Sequence, residues 1–461
     1  MHIKNNKIVL FVLTALILLT AQNGRGQSAF DYFSRNRNLL ASNYSIYPDS
    51  IESKMTPPPA GKRPFYISHY GRHGSRYLNN HKAYKIPYQI LCKADSLDEL
   101  TPIGQDVMHE MKRIIDDAEG RWGDLTGFGK QQQRAIARRM MQRFPEVFEG
   151  EAFIDARSTI VTRCILSMGS AILQMSAMNP QLKINMSSSY HDMWYLNCQD
   201  KFLRDSMMTN RAQQAYDRYI RRTARNPRLM DLLFVDSAYV NKYVDQKWLN
   251  YYLIKTALIQ QNTHMGLNGN FLLDLFSYEE LHQFWQNENA WWYIHYGPSP
   301  LNGGCQPYTQ RYLLRKIIQE ADSIIAMDTH GASLRYGHET VVLPLVCLLN
   351  LNGYGYQTEK LEDLEEKGWW AWLVFPMASN LQFVFYRNSP DDDDVIFKVL
   401  LNEKEAWLPL ADDIAPYYHW KDFKKYYLKR LDAYDSIRVM KRQSIHPHLF
   451  DHSEQAVGTG W

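Results

Sequence analysis

The chain alternates apolar and polar positions in short runs, and each run stops at a loop signal. Phe65 to His69 (FYISH) has the two-residue alternation of a strand and runs straight into Gly-Arg-His-Gly-Ser-Arg. Thr126 opens a predicted helix whose apolar positions Ile136, Met140 and Phe144 recur at four-residue spacing, and Pro145 ends it. Ala152 to Asp155 predicts a second short strand. A helix is then expected from about Thr159 to Met178, with Val161, Cys164, Ile165, Met168, Ile172 and Met175 as its apolar stripe. From about Tyr190 to Ile318 the pattern becomes long, polar, aromatic and helical. Strand alternation returns at Ala332 to Tyr336, Leu381 to Arg387 and Ile396 to Leu401, with an apolar helix, Val341 to Leu349, among them.

Strands alternating with helices imply an α/β fold, a mainly parallel sheet with helices on both faces. The helical stretch reads as an inserted α-helical domain. The expected division is 1–26 signal peptide, 27–189 and 320–461 α/β core, and 190–319 helical insertion. No internal repeat is visible.

Composition refines this picture. With 461 residues, 45% apolar and 22% charged, the chain can bury a large core and is not of a disordered type. Lys4 and Lys7 precede an apolar run from Ile8 to Ala21, shorter than the roughly 20 residues that span a bilayer. Residues 1–26 therefore read as a signal peptide, and a secreted or periplasmic location without stable membrane insertion is expected. Those residues carry Lys4, Lys7 and Arg25 and no acid, so their removal takes the net charge of +3 to about zero. Bulk charge gives no basis for nucleic-acid binding. Of five cysteines, Cys164 and Cys347 fall in apolar helical patterns, and Cys198 with Cys305 is a candidate bridge. No Cys-x-x-Cys or His-Glu-x-x-His spacing suggests a metal site, so no metal or cofactor is expected. Asp391 to Asp394 reads as a solvated turn.

Three segments carry chemistry, each at a strand-to-helix junction. Arg72-His73-Gly74-Ser75-Arg76 follows a strand, at the carboxyl end where open α/β sheets bind ligands. Two guanidiniums can hold phosphate oxygens by charge-assisted hydrogen bonds while a neutral imidazole, His73, attacks phosphorus. His73 is expected to be an exposed loop residue. Arg157-Ser158-Thr159, with Arg163 further on, lies at a helix start and can clamp an anion. In Gly337-His338-Glu339-Thr340, His338 can bind a phosphate oxygen and Glu339 can protonate a leaving oxygen. Burial would keep that proton and the arginines would remove it; residue types leave the outcome open.

These residues resemble the histidine acid phosphatases, branch 2 of the histidine phosphatase superfamily. RHGSR looks like the RHGxR nucleophile motif, and Gly123 to Gly129 with Gln132 looks like the family's GxLTxxGxxQ helix start. Arg163 falls where the family keeps a third pocket arginine. Arg163-Cys164, Pro376 to Tyr386 (PMASNLQFVFY) and Leu400-Leu401-Asn402-Glu403 are most similar to multiple inositol polyphosphate phosphatases. The resemblance covers roughly residues 64 to 403. It implies a phosphohistidine on His73, a phosphate pocket of Arg72, Arg76, Arg163 and His338, Glu339 as proton donor, and small phosphorylated substrates such as inositol polyphosphates. A broad acid phosphatase and a non-catalytic anion-binding protein are the alternatives. One departure stands out: the inositol phosphatases carry His-Ala-Glu-Thr before Leu-Pro. Counting back from Leu343-Pro344 puts Thr340 at their Glu, while Glu339 takes the place of Asp in the His-Asp motif of other members. Arg218 to Arg228 (RYIRRTARNPR) is a candidate basic rim for a highly anionic substrate.

Overall fold

The computed structural model describes residues 36–51, 54–198, 200–221, 227–411 and 413–445. The expected signal peptide and part of the basic rim lie outside them. Eight strands form one sheet: β1 Arg63–Arg72, β2 Phe153–Ser158, β3 Lys183–Ser188, β4 Gly331–Gly337, β5 Asn380–Arg387, β6 Ile396–Leu401, β7 Lys404–Ala406 and β8 Tyr418–His419. Their order is β3-β2-β4-β1-β5-β6-β7, with β8 beside β6. The half from β3 to β1 is parallel; β5 to β8 extend it antiparallel. The first strand runs further than its alternation suggested. Hydrogen bonds to β4 and β5 on both sides hold it extended as far as Arg72, so the first arginine of the motif is a strand residue.

The longer helices are α1 Lys82–Asp95, α2 Pro102–Ala118, α3 Gly127–Arg143, α4 Thr162–Met178, α5 Gln246–Ile259, α6 Tyr278–Tyr296, α7 Arg311–Ile325, α8 Glu339–Leu349 and α9 Trp420–Ile445. The sheet is covered on both faces. Ile67, Ile154, Leu334 and Val384 meet Met140 of α3 and Met168 and Met175 of α4. Tyr66, Phe383, Phe385 and Phe397 meet Leu314 and Ile317 of α7, Val342 and Val346 of α8 and Phe423 of α9. Successive strand side chains point to opposite faces, so a doubly covered sheet needs nearly continuous apolar strands, as β5 and β6 are.

Among the described residues, the elements between Tyr190 and Ile325 are all helical. A further core joins α5 and α6 to α1 and α2, so the helical layer also draws on residues 82–118. The boundary expected at 319/320 falls inside α7, whose Leu313, Leu314, Ile317 and Ile318 belong to the core against the sheet.

Two local readings change. The helix expected from Thr159 starts at Thr162, because Val161 is extended and the Thr159 N–H bonds the Tyr336 carbonyl of β4. Its packed face is Cys164, Ser167, Met168, Ala171, Ile172 and Met175, while Ile165 is exposed. The Cys198–Cys305 bridge does not form: all five cysteines are thiols, and the Cys305 Sγ turns back to the Gly303 carbonyl at 3.2 Å. The acidic run is also more than a solvated turn, since Asp392 accepts from Lys62 Nζ and from the Asn388 and Asp394 N–H groups.

Candidate active site

The carboxyl ends of β1, β2 and β4 lie side by side, with Arg72 paired to Gly337 and Ser158 to Tyr336. This register brings the three chemical segments together. His73 follows β1, Glu339 opens α8 directly after β4, and Arg163 lies in the first turn of α4.

The loop after β1 is fixed from three sides. The His73 N–H donates to the Gly337 carbonyl at 3.0 Å and the Arg72 N–H to the Ser379 carbonyl at 2.7 Å. The Ala378 N–H donates to the His73 carbonyl at 2.9 Å. Ala378 holds a left-handed φ of 60° while fully buried, so the PMASN strap stores backbone strain where it grips the loop. On the third side sits the start of α3. Thr126 caps that helix, and a Cβ on Gly74 would lie 2.3 Å from the Gly129 carbonyl oxygen. A Cβ on Gly129 would in turn lie 2.3 Å from the Ser75 carbonyl oxygen, so backbone meets backbone and both positions require glycine. Gln132 accepts from the Ser75 N–H and donates to its hydroxyl, and Gln133 donates to the Arg72 carbonyl. These contacts give the GxLTxxGxxQ pattern its physical meaning.

His73 is fully buried, contrary to the exposed position expected from its loop. The strap and α3 close over it. Its Nδ1 lies 2.9 Å from the Gly74 carbonyl, which only an N–H can satisfy, so the Nε2 carries the lone pair. Burial first, then Arg72 and Arg76, hold the imidazole well below its ordinary range despite the opposing pull of Glu339. The ring is therefore neutral. His338, with ring centroid 5.8 Å from that of His73, is likewise lowered to about 4 by burial. Its Nε2 is 3.2 Å from the Thr159 hydroxyl.

Three guanidiniums converge here. Burial brings Arg72 down to about 10, partly offset by Glu339. Its Nη1 is spent on the Asn43 and Phe375 carbonyls, at 2.8 and 2.6 Å. The Arg72 Nη2, Arg76 Nε, Arg163 Nε and His73 Nε2 are buried and make no hydrogen bond among the described residues. Glu339 faces this cluster: its Oε2 lies 3.0 Å from Arg72 Nε and 3.6 Å from His73 Nε2, and its Oε1 lies 3.8 Å from Arg76 Nη2. Burial opposes charge on Glu339, but the Arg72 and Arg76 guanidiniums outweigh it and hold the carboxyl well below its usual range. Without an anion in the site, the arginines win and Glu339 is ionised.

His73, His338 and Glu339 also bring ligand-type atoms within 4.8 Å of one another. The surrounding guanidiniums make that position hostile to a cation and favourable to an anion. Of the other expected residues, Arg157 points away and pairs with Asp155 and Asp192. Arg228 of the basic segment is engaged by Glu280. Asn43 lies in the site without any periodic or motif signal in the sequence.

A profile of the histidine phosphatase superfamily (branch 2) matches residues 71–402, so the chain belongs to that family. Family membership supports phosphatase chemistry at this site. A search of curated proteins finds no match. Among solved structures, the Bifidobacterium longum multiple inositol polyphosphate phosphatase in complex with inositol hexasulfate is similar at TM-score 0.70 and 17% identity, over 84% of this chain and 96% of that one. The phytase from D. castellii is similar at TM-score 0.59 and 12% identity, over 86% and 85%. At these identities the likeness speaks for the fold. No helix among the described residues is long and apolar enough to cross a membrane.

Proposed function

We propose that the protein is a metal-independent phosphomonoesterase that works through a phosphohistidine on His73 and acts on inositol polyphosphates. The observation that carries this reading is that the Arg72, Arg76 and Arg163 guanidiniums gather near His73, each of the four side chains with a buried nitrogen that makes no hydrogen bond among the described residues. Buried guanidinium N–H groups left without partners are costly, and a phosphoryl group would satisfy them while its phosphorus meets the His73 Nε2 lone pair.

In the first step the His73 Nε2 lone pair attacks phosphorus as the bond to the leaving oxygen breaks. Arg72, Arg76, Arg163 and His338 stabilise the equatorial oxygens. Attack needs phosphorus about 3–3.5 Å from the nitrogen. The Glu339 Oε2, at 3.6 Å, now fills that space. Substrate therefore displaces the carboxylate, and the incoming dianion neutralises the arginines that kept it ionised. Glu339 then takes a proton from solvent and can deliver it to the leaving alcohol. Water afterwards hydrolyses the phosphohistidine.

The inositol reading is supported by the Arg163-Cys164, PMASNLQFVFY and LLNE segments. It is tested by comparing kcat/KM for inositol hexakisphosphate with that for a sugar monophosphate, at low and high salt and with a chelator. The polyphosphate is expected to win at low salt, with no loss on chelation. A sugar phosphate that wins at both salts makes this a broad acid phosphatase. Loss of activity on chelation would assign the His73–His338–Glu339 cluster to a metal. Export is inferred from residues 1–26, and the N-terminal sequence of the mature protein tests it.

A further inference from the structure

Glu339 has two unlike oxygens. Its Oε2 faces Arg72 Nε and His73 Nε2, the groups a phosphoryl ester would engage. Its Oε1 faces Arg76 and, at 3.5 Å, the side-chain amide Nδ2 of Asn43. Asn43 is buried at 7% exposure and comes from the kinked eight-residue 3-10 segment Arg37–Tyr44, far from the motifs in sequence. Its place is well determined. Its carbonyl accepts from Arg72 Nη1 at 2.8 Å, the next carbonyl, of Tyr44, accepts from Asn262 Nδ2 at 2.7 Å, and the Met377 N–H donates to Ser45. Before it, Ser42 holds a left-handed φ of 51°, a turn that aims Asn43 inward.

We propose that Asn43 is the positioning residue for the acid: its amide holds Glu339 Oε1, so that the proton delivered to the leaving group is carried on Oε2. This rests on the reading of Glu339 as proton donor. An amide Nδ2 can only donate, so it keeps Oε1 in the acceptor role whatever the protonation state. When substrate engages Arg72 and His73, Oε2 loses its Arg72 partner and takes a proton from solvent. As the His73 Nε2–P bond forms and the P–O bond breaks, that proton passes from Oε2 to the departing oxygen, and Glu339 is left as a carboxylate. The backbone carbonyl of the same asparagine accepts from Arg72 Nη1, so Asn43 sits between acid and clamp.

The test uses the full-length N43A and N43D proteins with a sugar monophosphate and with nitrophenyl phosphate, whose leaving group needs little protonation. In N43A, kcat on the sugar phosphate is expected to fall about tenfold or more, while kcat on nitrophenyl phosphate and both KM values change little. The alkaline limb of kcat should move to higher pH in N43A, because the lost hydrogen bond favours the charged form, and further in N43D, where two carboxyls share a proton. The groups facing Glu339 remain in both variants: Arg72, His73, Arg76, Arg163, His338, the Cys164 thiol and the Tyr70 and Tyr296 hydroxyls. E339Q separates the two readings. If E339Q loses both substrates equally, the acid is elsewhere. If E339Q shows the leaving-group dependence but N43A loses both substrates equally, or leaves the kcat profile unmoved in pH, Asn43 has no part in placing the proton.

Discussion

His73→Ala removes the proposed nucleophile from a pocket that its three arginines still define. Turnover is expected to fall to a trace on every phosphate ester. Phosphate binding should persist, seen as a rise in melting temperature on adding phosphate, because Arg72, Arg76 and Arg163 remain. An H73A protein with substantial turnover would place the nucleophile elsewhere. Arg72, His73, Arg76 and Glu339 could be singled out as candidates because guanidinium, imidazole and carboxyl in short motifs narrow the chemistry, and the fold brings the four together. Asn43 was not legible: it contacts Arg72 across 29 residues and Glu339 across 296, and an asparagine in an unpatterned stretch has no signature. The burial of His73 was missed for a related reason. The strap that covers it is the distant segment around Ala378, and a loop sequence says nothing of what folds over it.

At the level of elements, α3 holds the loop after β1 through side chains as well as through its glycine contact. Gln132→Ala deletes both bonds to Ser75 and leaves its buried N–H without an acceptor. A loss of about 1–3 kcal/mol in unfolding free energy is expected by denaturant titration, the cost of one such orphaned group. The loop should loosen as well, lowering kcat on all substrates alike, unlike the leaving-group pattern of E339Q. A Q132A protein of wild-type stability would show that water replaces the amide. The strands and helices around the site were legible because apolar periodicity survives where an element is covered. The start of α4 was misplaced by three residues because Thr159 is drawn to β4 and His338, a tertiary pull that overrides local pattern. The strands β5 and β6 were expected, but their antiparallel direction had no signal. Doubly covered strands read as continuous apolar runs, whichever way they pair.

On the scale of the whole molecule, three histidines among the described residues, His69, His73 and His338, are buried, and burial disfavours their protonation. Burial lowers His69 to about 3 and His338 to about 4, and His73 lies well below its ordinary value. In the unfolded chain each returns to about 6.5. Below that pH the unfolded state binds protons that the folded state refuses, so stability falls as pH falls. The slope is up to about 1.4 kcal/mol per pH unit for each histidine until its folded value is reached. Glu339 acts in the same sense at lower pH. Its folded value is depressed, so its contribution is present above about 4.5 and is lost as pH drops through the folded value. The melting temperature is therefore expected to be highest near neutrality and to fall steadily from pH 6.5 to pH 4. His69 lies on β1 outside the phosphate cluster, its ring packed against that of Tyr336 on the neighbouring strand β4. His69→Gln should flatten that slope by about one histidine's share without changing the pH profile of kcat. Phosphate should raise the melting temperature at every pH, because it binds the folded state alone. A melting temperature that stays level between pH 7 and pH 4 would mean that these imidazoles accept protons in the folded protein. The neutral nucleophile on which the proposed reaction depends would then be lost with them.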